Sequence, residues 1–218
     1  MVVRTLLVWL GAYLLGSAPL GMFWAWIAKR IDVRQHGSGR TGGTNVWRTA
    51  GFLPALLTSI SDGVKAAIAI WIGRGLGLDS WSLAIPGALA VLGHNHSIYL
   101  KFRGGAGTAA SVGAAFALWP VSLPILLTIF VGMILLVGHA SMGSIAVAIT
   151  LPILFLLRGE VAFALGFGVP AMLLTLWALR PNILRLFKGE ERFLPIYVEK
   201  PPLIRLSRHP ASPKTSGE

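Results

Sequence analysis

Three polar segments interrupt an otherwise apolar chain, and they hold the residue types that bind anions. The first reads Asp32-Val33-Arg34-Gln35-His36-Gly37-Ser38-Gly39-Arg40-Thr41-Gly42-Gly43-Thr44-Asn45-Val46-Trp47-Arg48, with four glycines and three arginines in seventeen residues. Glycines let a backbone approach a ligand closely, and successive free N–H groups make concavities for anions. Arginine adds a fixed charge whose fork fits phosphate oxygens. The second segment follows Gly93-His94 and runs Lys101-Phe102-Arg103-Gly104-Gly105-Ala106-Gly107-Thr108. It is again basic and glycine-rich, and it opens into an apolar stretch, the pattern of an anion site at a helix N-terminus. The third is Arg180-Pro181-Asn182-Ile183-Leu184-Arg185-Leu186-Phe187-Lys188-Gly189-Glu190-Glu191. The chemistry implied is recognition of a phosphorylated small molecule. Basic connectors between membrane helices would share much of this composition.

The elements that must position these segments are membrane helices. Of 218 residues, 55% are hydrophobic and 12% charged, whereas soluble chains carry roughly 25% charged residues. The expected class is an all-α integral membrane protein. The net charge of +11 does not point to nucleic acid, because the basic residues sit in loops and in the C-terminal region. The chain has no cysteine, which excludes disulfides and thiolate catalysis. No metal-ligand cluster is evident and no cofactor is expected. Residues 1–27 resemble a signal peptide at their start, but the apolar run is long enough to span, so a retained first helix is expected.

Seven spans are expected, at about 2–28, 52–72, 81–100, 108–119, 121–137, 142–157 and 161–179. The run 108–138 would make about 46 Å of helix against a hydrocarbon core of ~30 Å, and Trp119-Pro120 divides it. Asp62 and Lys65 lie at i and i+3 in the second span and can pair there. With seven spans, all three polar segments face one side of the membrane. That side holds fifteen Lys and Arg residues against three on the other, with Lys65 inside a span. The bias predicts an outside N-terminus and a cytoplasmic C-terminus. Residues 180–191 are expected to form a polar interfacial turn. Residues 193–218 read as an extended or disordered basic tail after a domain at 1–192. Spacing and composition leave an enzyme, a phosphate-linked transporter and a lipid-binding scaffold open.

The three segments resemble the signatures of the PlsY family, bacterial glycerol-3-phosphate acyltransferases that use acyl phosphate. The first matches Asp-x-Arg…Gly-Ser-Gly-Asn-x-Gly-Ala-Thr-Asn-x-x-Arg at Asp32, Arg34, Gly37-Ser38-Gly39, Gly42, Thr44-Asn45 and Arg48. The second matches Gly-His…Phe-x-Gly-Gly-Lys-Gly at Gly93-His94, Phe102, Gly104-Gly105 and Gly107. The third matches His-Arg-x-Asn-Ile-x-Arg-Leu-x-x-Gly-x-Glu at Arg180, Asn182-Ile183, Arg185-Leu186, Gly189 and Glu191. The resemblance implies a seven-span enzyme of the bacterial inner membrane that works with the lipid bilayer. It implies transfer of a fatty acyl group from acyl phosphate to the 1-hydroxyl of glycerol 3-phosphate, giving lysophosphatidate and phosphate. By position it implies glycerol 3-phosphate contacts at Ser38, Arg40, Thr44, Asn45, Arg48 and Asn182. It implies an acyl-phosphate cradle at Gly104, Gly105 and Gly107, with His94, Arg180, Arg185 and Glu191 in support.

Three positions depart from the pattern. Arg40 replaces an asparagine, Ala106 a lysine and Leu179 a histidine. One expectation is that Arg40 supplies the charge missing at Ala106. The competing readings are a catalytically impaired homologue that binds acyl phosphate or lysophosphatidate, and a small anion transporter. His36, His96 and His139 are read as incidental.

Overall fold

Pro19 shapes the first element. Helix α1 (Val2–Ser17) stops before it and α2 (Leu20–Lys29) restarts after it, because proline cannot donate into a helix. The computed structural model describes residues 2–197, 202–204 and 206. The break frees the Ala18 carbonyl, which accepts from Lys65 Nζ at 2.9 Å. Lys65 also meets Asp62 at 2.8 Å, so the expected pair forms and anchors the break as well.

A short 3₁₀ turn (Val33–Gln35) and α3 (Gly43–Ala50) then lead into α4 (Phe52–Gly75). Next come α5 (Ser80–Asn95), α6 (Thr108–Leu118), α7 (Ser122–Val137) and α8 (Ala140–Leu157). The last helix, α9 (Val161–Phe187), is continuous through a π turn at Ala164–Gly168. It also runs through Pro181 to Phe187, so residues 180–187 extend the last helix and do not form a separate interfacial turn. No strand occurs among the described residues.

Helices Val2–Lys29, Phe52–Gly75, Ala140–Leu157 and Val161–Phe187 are each long and apolar enough to cross a membrane. The division at Pro120 is observed, but α6 has only 11 residues, about 16 Å of rise. Alanine and glycine let it sit deep among the longer helices. A Cβ on Gly113 would lie 2.0 Å from the Gly63 carbonyl oxygen of α4, a backbone approach typical of small-residue membrane interfaces. Large apolar side chains such as Leu7, Leu53, Ile60 and Leu173 are exposed, as suits a surface facing hydrocarbon.

Residues 193–197 do not behave as free tail. Leu194 is buried and its N–H bonds the Gly138 carbonyl at 3.0 Å, and Phe193 stacks on His139. Most of the expected tail (198–201, 205 and 207–218) lies outside the described residues.

Candidate active site

Asn45 folds the first polar loop. Its side chain is buried, and Nδ2 donates to the carbonyls of Val33, His36 and Arg40 at 2.8–3.0 Å. Its Oδ1 accepts from the Ser38 N–H at 2.8 Å. A Cβ on Gly37 would come 2.2 Å from that Oδ1, and Gly37 has φ of 59°, so only glycine fits. Asp32 closes the loop's start by accepting from the Arg34 N–H and guanidinium. The Arg34 hydrogen bonds hold the Asp32 carboxyl below its usual range.

The glycine segment rests on the end of α5. Gly105 N–H bonds the His94 carbonyl at 3.0 Å. A Cβ on Gly104 would lie 2.0 Å from that carbonyl oxygen, and one on Gly105 would lie 2.0 Å from His94 Nε2. His94 Nδ1 faces Asp62 at 3.4 Å. The segment ends at Gly107 and hands over to the N-terminus of α6.

The third segment is organised by Glu191, which is buried. It accepts from Asn182 Nδ2 at 2.8 Å, Arg185 Nε at 2.9 Å and Ser141 Oγ at 3.2 Å. One carboxylate thereby fixes the end of α9 against the start of α8 and aims Asn182.

These segments enclose a cavity of about 510 Å³. Its polar end is lined by Ser38, Arg40, Thr44, Asn45, Arg48, His94, Gly107, Asn182 and Glu191. An apolar arm continues between α4, α6 and α7 past Ile60, Val64, Trp71, Val112, Phe116 and Leu127. Gly104 and Gly105 back this wall through their contacts with His94. Arg185 reaches it only through Glu191, and Arg180 turns outward over the Trp177 ring at 4.1 Å. All three departures from the sequence pattern, Arg40, Ala106 and Leu179, line the cavity.

The two carboxylates of the cavity lining, Asp62 and Glu191, are already paired with Lys65 and Arg185. Arg40 bonds the carbonyls of Gly105 (3.4 Å) and Ala178. Arg48 Nη2 bonds the Arg192 carbonyl at 3.2 Å, while its Nε is buried without a partner. Among the described residues, neither guanidinium has a carboxylate within ion-pair distance. Burial first, then the charges of Arg185 and Arg180, push Arg40 below its usual range. Burial does the same to Arg48, partly offset by Glu191. Cations held this way favour a bound anion. Among the described residues, no group of His, Asp and Glu is arranged to hold a metal.

The sequence profile described as glycerol-3-phosphate acyltransferase matches residues 6–189. The chain belongs to the glycerol-3-phosphate acyltransferase family. It is an enzyme of that family, a membrane acyltransferase. A member from Thermus thermophilus is 39% identical over 199 residues, covering 89% of this chain and 98% of its own length. One from Desulforudis audaxviator is 38% identical over 180 residues, covering 83% and 90%. The fold matches crystal structures of PlsY, an integral membrane glycerol 3-phosphate acyltransferase, in glycerol 3-phosphate and lysophosphatidic acid forms. For the glycerol 3-phosphate form the TM-score is 0.78 at 32% identity, covering 87% of this chain and 95% of that one.

One cavity residue, Ser141, and one buried neighbour of the site, His139, carry no motif in the sequence. Ser141 lines the cavity and bonds Glu191, yet it lies in a bare apolar helix start with no pattern around it. His139 is fully buried beside Phe193, and its Nδ1 bonds the Arg192 carbonyl at 3.1 Å. The sequence reads it as incidental, and it does not line the cavity, but it seats the chain that follows α9.

Proposed function

We propose that this enzyme transfers a fatty acyl group from acyl phosphate to the 1-hydroxyl of glycerol 3-phosphate at the cavity. The products are lysophosphatidate and inorganic phosphate. The observation that carries the reading is one cavity with two unneutralised arginines at its polar end and a long apolar arm beyond them. Such a shape suits an amphipathic phosphate ester better than a free ion. The glycerol 3-phosphate and lysophosphatidic acid forms of the similar PlsY support the same pair of acceptor and product.

In this reading Ser38, Thr44, Arg48 and Asn182 bind glycerol 3-phosphate, and Asn45 keeps their loop folded. Gly107 and the N-terminus of α6 bring backbone N–H groups to the donor phosphate, while Gly104 and Gly105 hold the segment against His94, whose carbonyl takes the Gly105 N–H. The acyl chain follows the apolar arm. The hydroxyl oxygen bonds the acyl carbon while the anhydride C–O bond breaks, and its electron pair leaves on phosphate. The hydroxyl proton ends on the released phosphate or on solvent. Acyl phosphate carries a good leaving group, so the protein's task is to orient two anions and offset their repulsion.

The proposal includes seven spans in a bacterial inner membrane, an outside N-terminus and a cytoplasmic active site. Purified protein supplied with acyl phosphate and labelled glycerol 3-phosphate should make lysophosphatidate, and acyl-CoA or acyl carrier protein should not replace the donor. Tight binding of acyl phosphate with no product would overturn the reaction and leave a binding homologue.

A further inference from the structure

Arg40 belongs to the acceptor-side loop, yet its guanidinium ends at the other two segments. Nη1 donates to the carbonyl of Gly105 and Nη2 to that of Ala178. These carbonyls immediately precede Ala106 and Leu179, two uncharged residues of the cavity wall. The approach is structural, not incidental. A Cβ on Gly42 would lie 3.8 Å from Gly105 Cα and 4.0 Å from Ala106 N, so the two loops abut. The Ala178 carbonyl lies three residues before Pro181, next to the Trp177 carbonyl that the proline leaves without its helix partner. Two neutral carbonyls orient a guanidinium but leave its charge unopposed, and the fork has five N–H donors.

Resting on the function proposed above, we infer that Arg40 grips the phosphate of the acyl-phosphate donor, beside Ala106, although it arises from the acceptor-side loop. Arg40 lines the cavity together with Ala106, Gly107 and Thr108, where the glycine segment meets the α6 N-terminus. During transfer Arg40 balances charge on the departing phosphate oxygen and gives up no proton. One residue then serves the donor while its own backbone carbonyl, bonded by Asn45, holds the acceptor loop. Loop order and donor binding are linked through it.

The test compares Arg40→Gln, Arg40→Lys and the double variant Arg40→Gln/Ala106→Lys in detergent. The readouts are melting temperature, KM for each substrate, and Ki for inorganic phosphate competing with acyl phosphate. Arg40→Gln should raise acyl-phosphate KM and phosphate Ki about ten-fold or more, the loss of one charge-assisted contact. Its glycerol 3-phosphate KM should stay within about three-fold of wild type, on the same scale. Arg40→Lys should keep part of the donor affinity. The double variant should recover most of it, because the lysine restores a cation at the same wall. A loss confined to glycerol 3-phosphate, or equal for both substrates, overturns the inference. So does a folded double variant no better than Arg40→Gln, which is the behaviour of a mere strap between loops. If wild type makes no product, weaker acyl-phosphate binding by Arg40→Gln still supports the role of Arg40 while the transfer reaction falls.

Discussion

Among single residues, Asn45 and Arg48 separate support from recognition. Asn45→Ala removes four hydrogen bonds that order the first loop. It is expected to cost about 3 kcal/mol or more, since buried partners are left unpaired. A fall in melting temperature together with lost activity would be the measure. Arg48→Gln should instead leave the melting temperature close to wild type and raise KM for glycerol 3-phosphate about ten-fold or more. His139 gives a pH dependence. Burial holds its pKa below the ordinary value of 6.5, so the neutral ring is favoured in the fold. That contribution is complete above pH 6.5 and is lost as pH falls through the lower folded value. Thermal unfolding at pH 7.5 and at pH 5.5 should show an acid loss that shrinks in His139→Gln. At this scale the sequence motifs named Ser38, Arg40, Thr44, Asn45, Arg48, His94, Gly107, Asn182 and Glu191, which line the cavity, and also Gly104, Gly105, Arg180 and Arg185, which do not. They did not reveal that Asn45 is spent on its own loop, because the same Thr-Asn pair fits a ligand contact as easily.

At the scale of elements, the breaks were legible and the joins were not. Pro19 and Pro120 end helices where proline chemistry says they must. Pro181 does not, because α9 is held on both sides of it by contacts remote in sequence: Glu191 fixes Asn182 and Arg40 takes the Ala178 carbonyl. Tertiary partners of this kind leave no periodic signal. The short α6 depends on backbone contact with α4. Gly113→Ala puts a methyl group 2.0 Å from a backbone oxygen and is expected to destabilise by about 1–3 kcal/mol. Gly132→Ala in α7, where nothing lies within 4 Å, should be neutral or slightly stabilising. Parallel melting curves of the two variants would check this, and equal effects would refute the packing argument.

For the whole molecule, charge bias predicts the orientation and parity the span count, while four helices are each long and apolar enough to cross a membrane. The native chain has no cysteine, so single introduced cysteines report sidedness without background. Cysteines at Gly77 and Gly159 should react with an impermeant maleimide from outside intact cells, and one at Lys188 only after the membrane is opened. Labelling of Lys188→Cys from outside would reverse the topology. The site also draws on chain regions far apart in synthesis. Arg40 finds its carbonyl at Ala178, and Arg48 finds its own at Arg192. Both arginines therefore leave the ribosome long before the groups that seat them. Until the last helix is threaded, Arg40 has only the Gly105 carbonyl to hold it and Arg48 lacks its partner at Arg192. The enzyme is completed by its final segment, and a nascent chain stalled before that helix holds most of its catalytic motifs but lacks the cavity wall made by Leu179, Asn182 and Glu191.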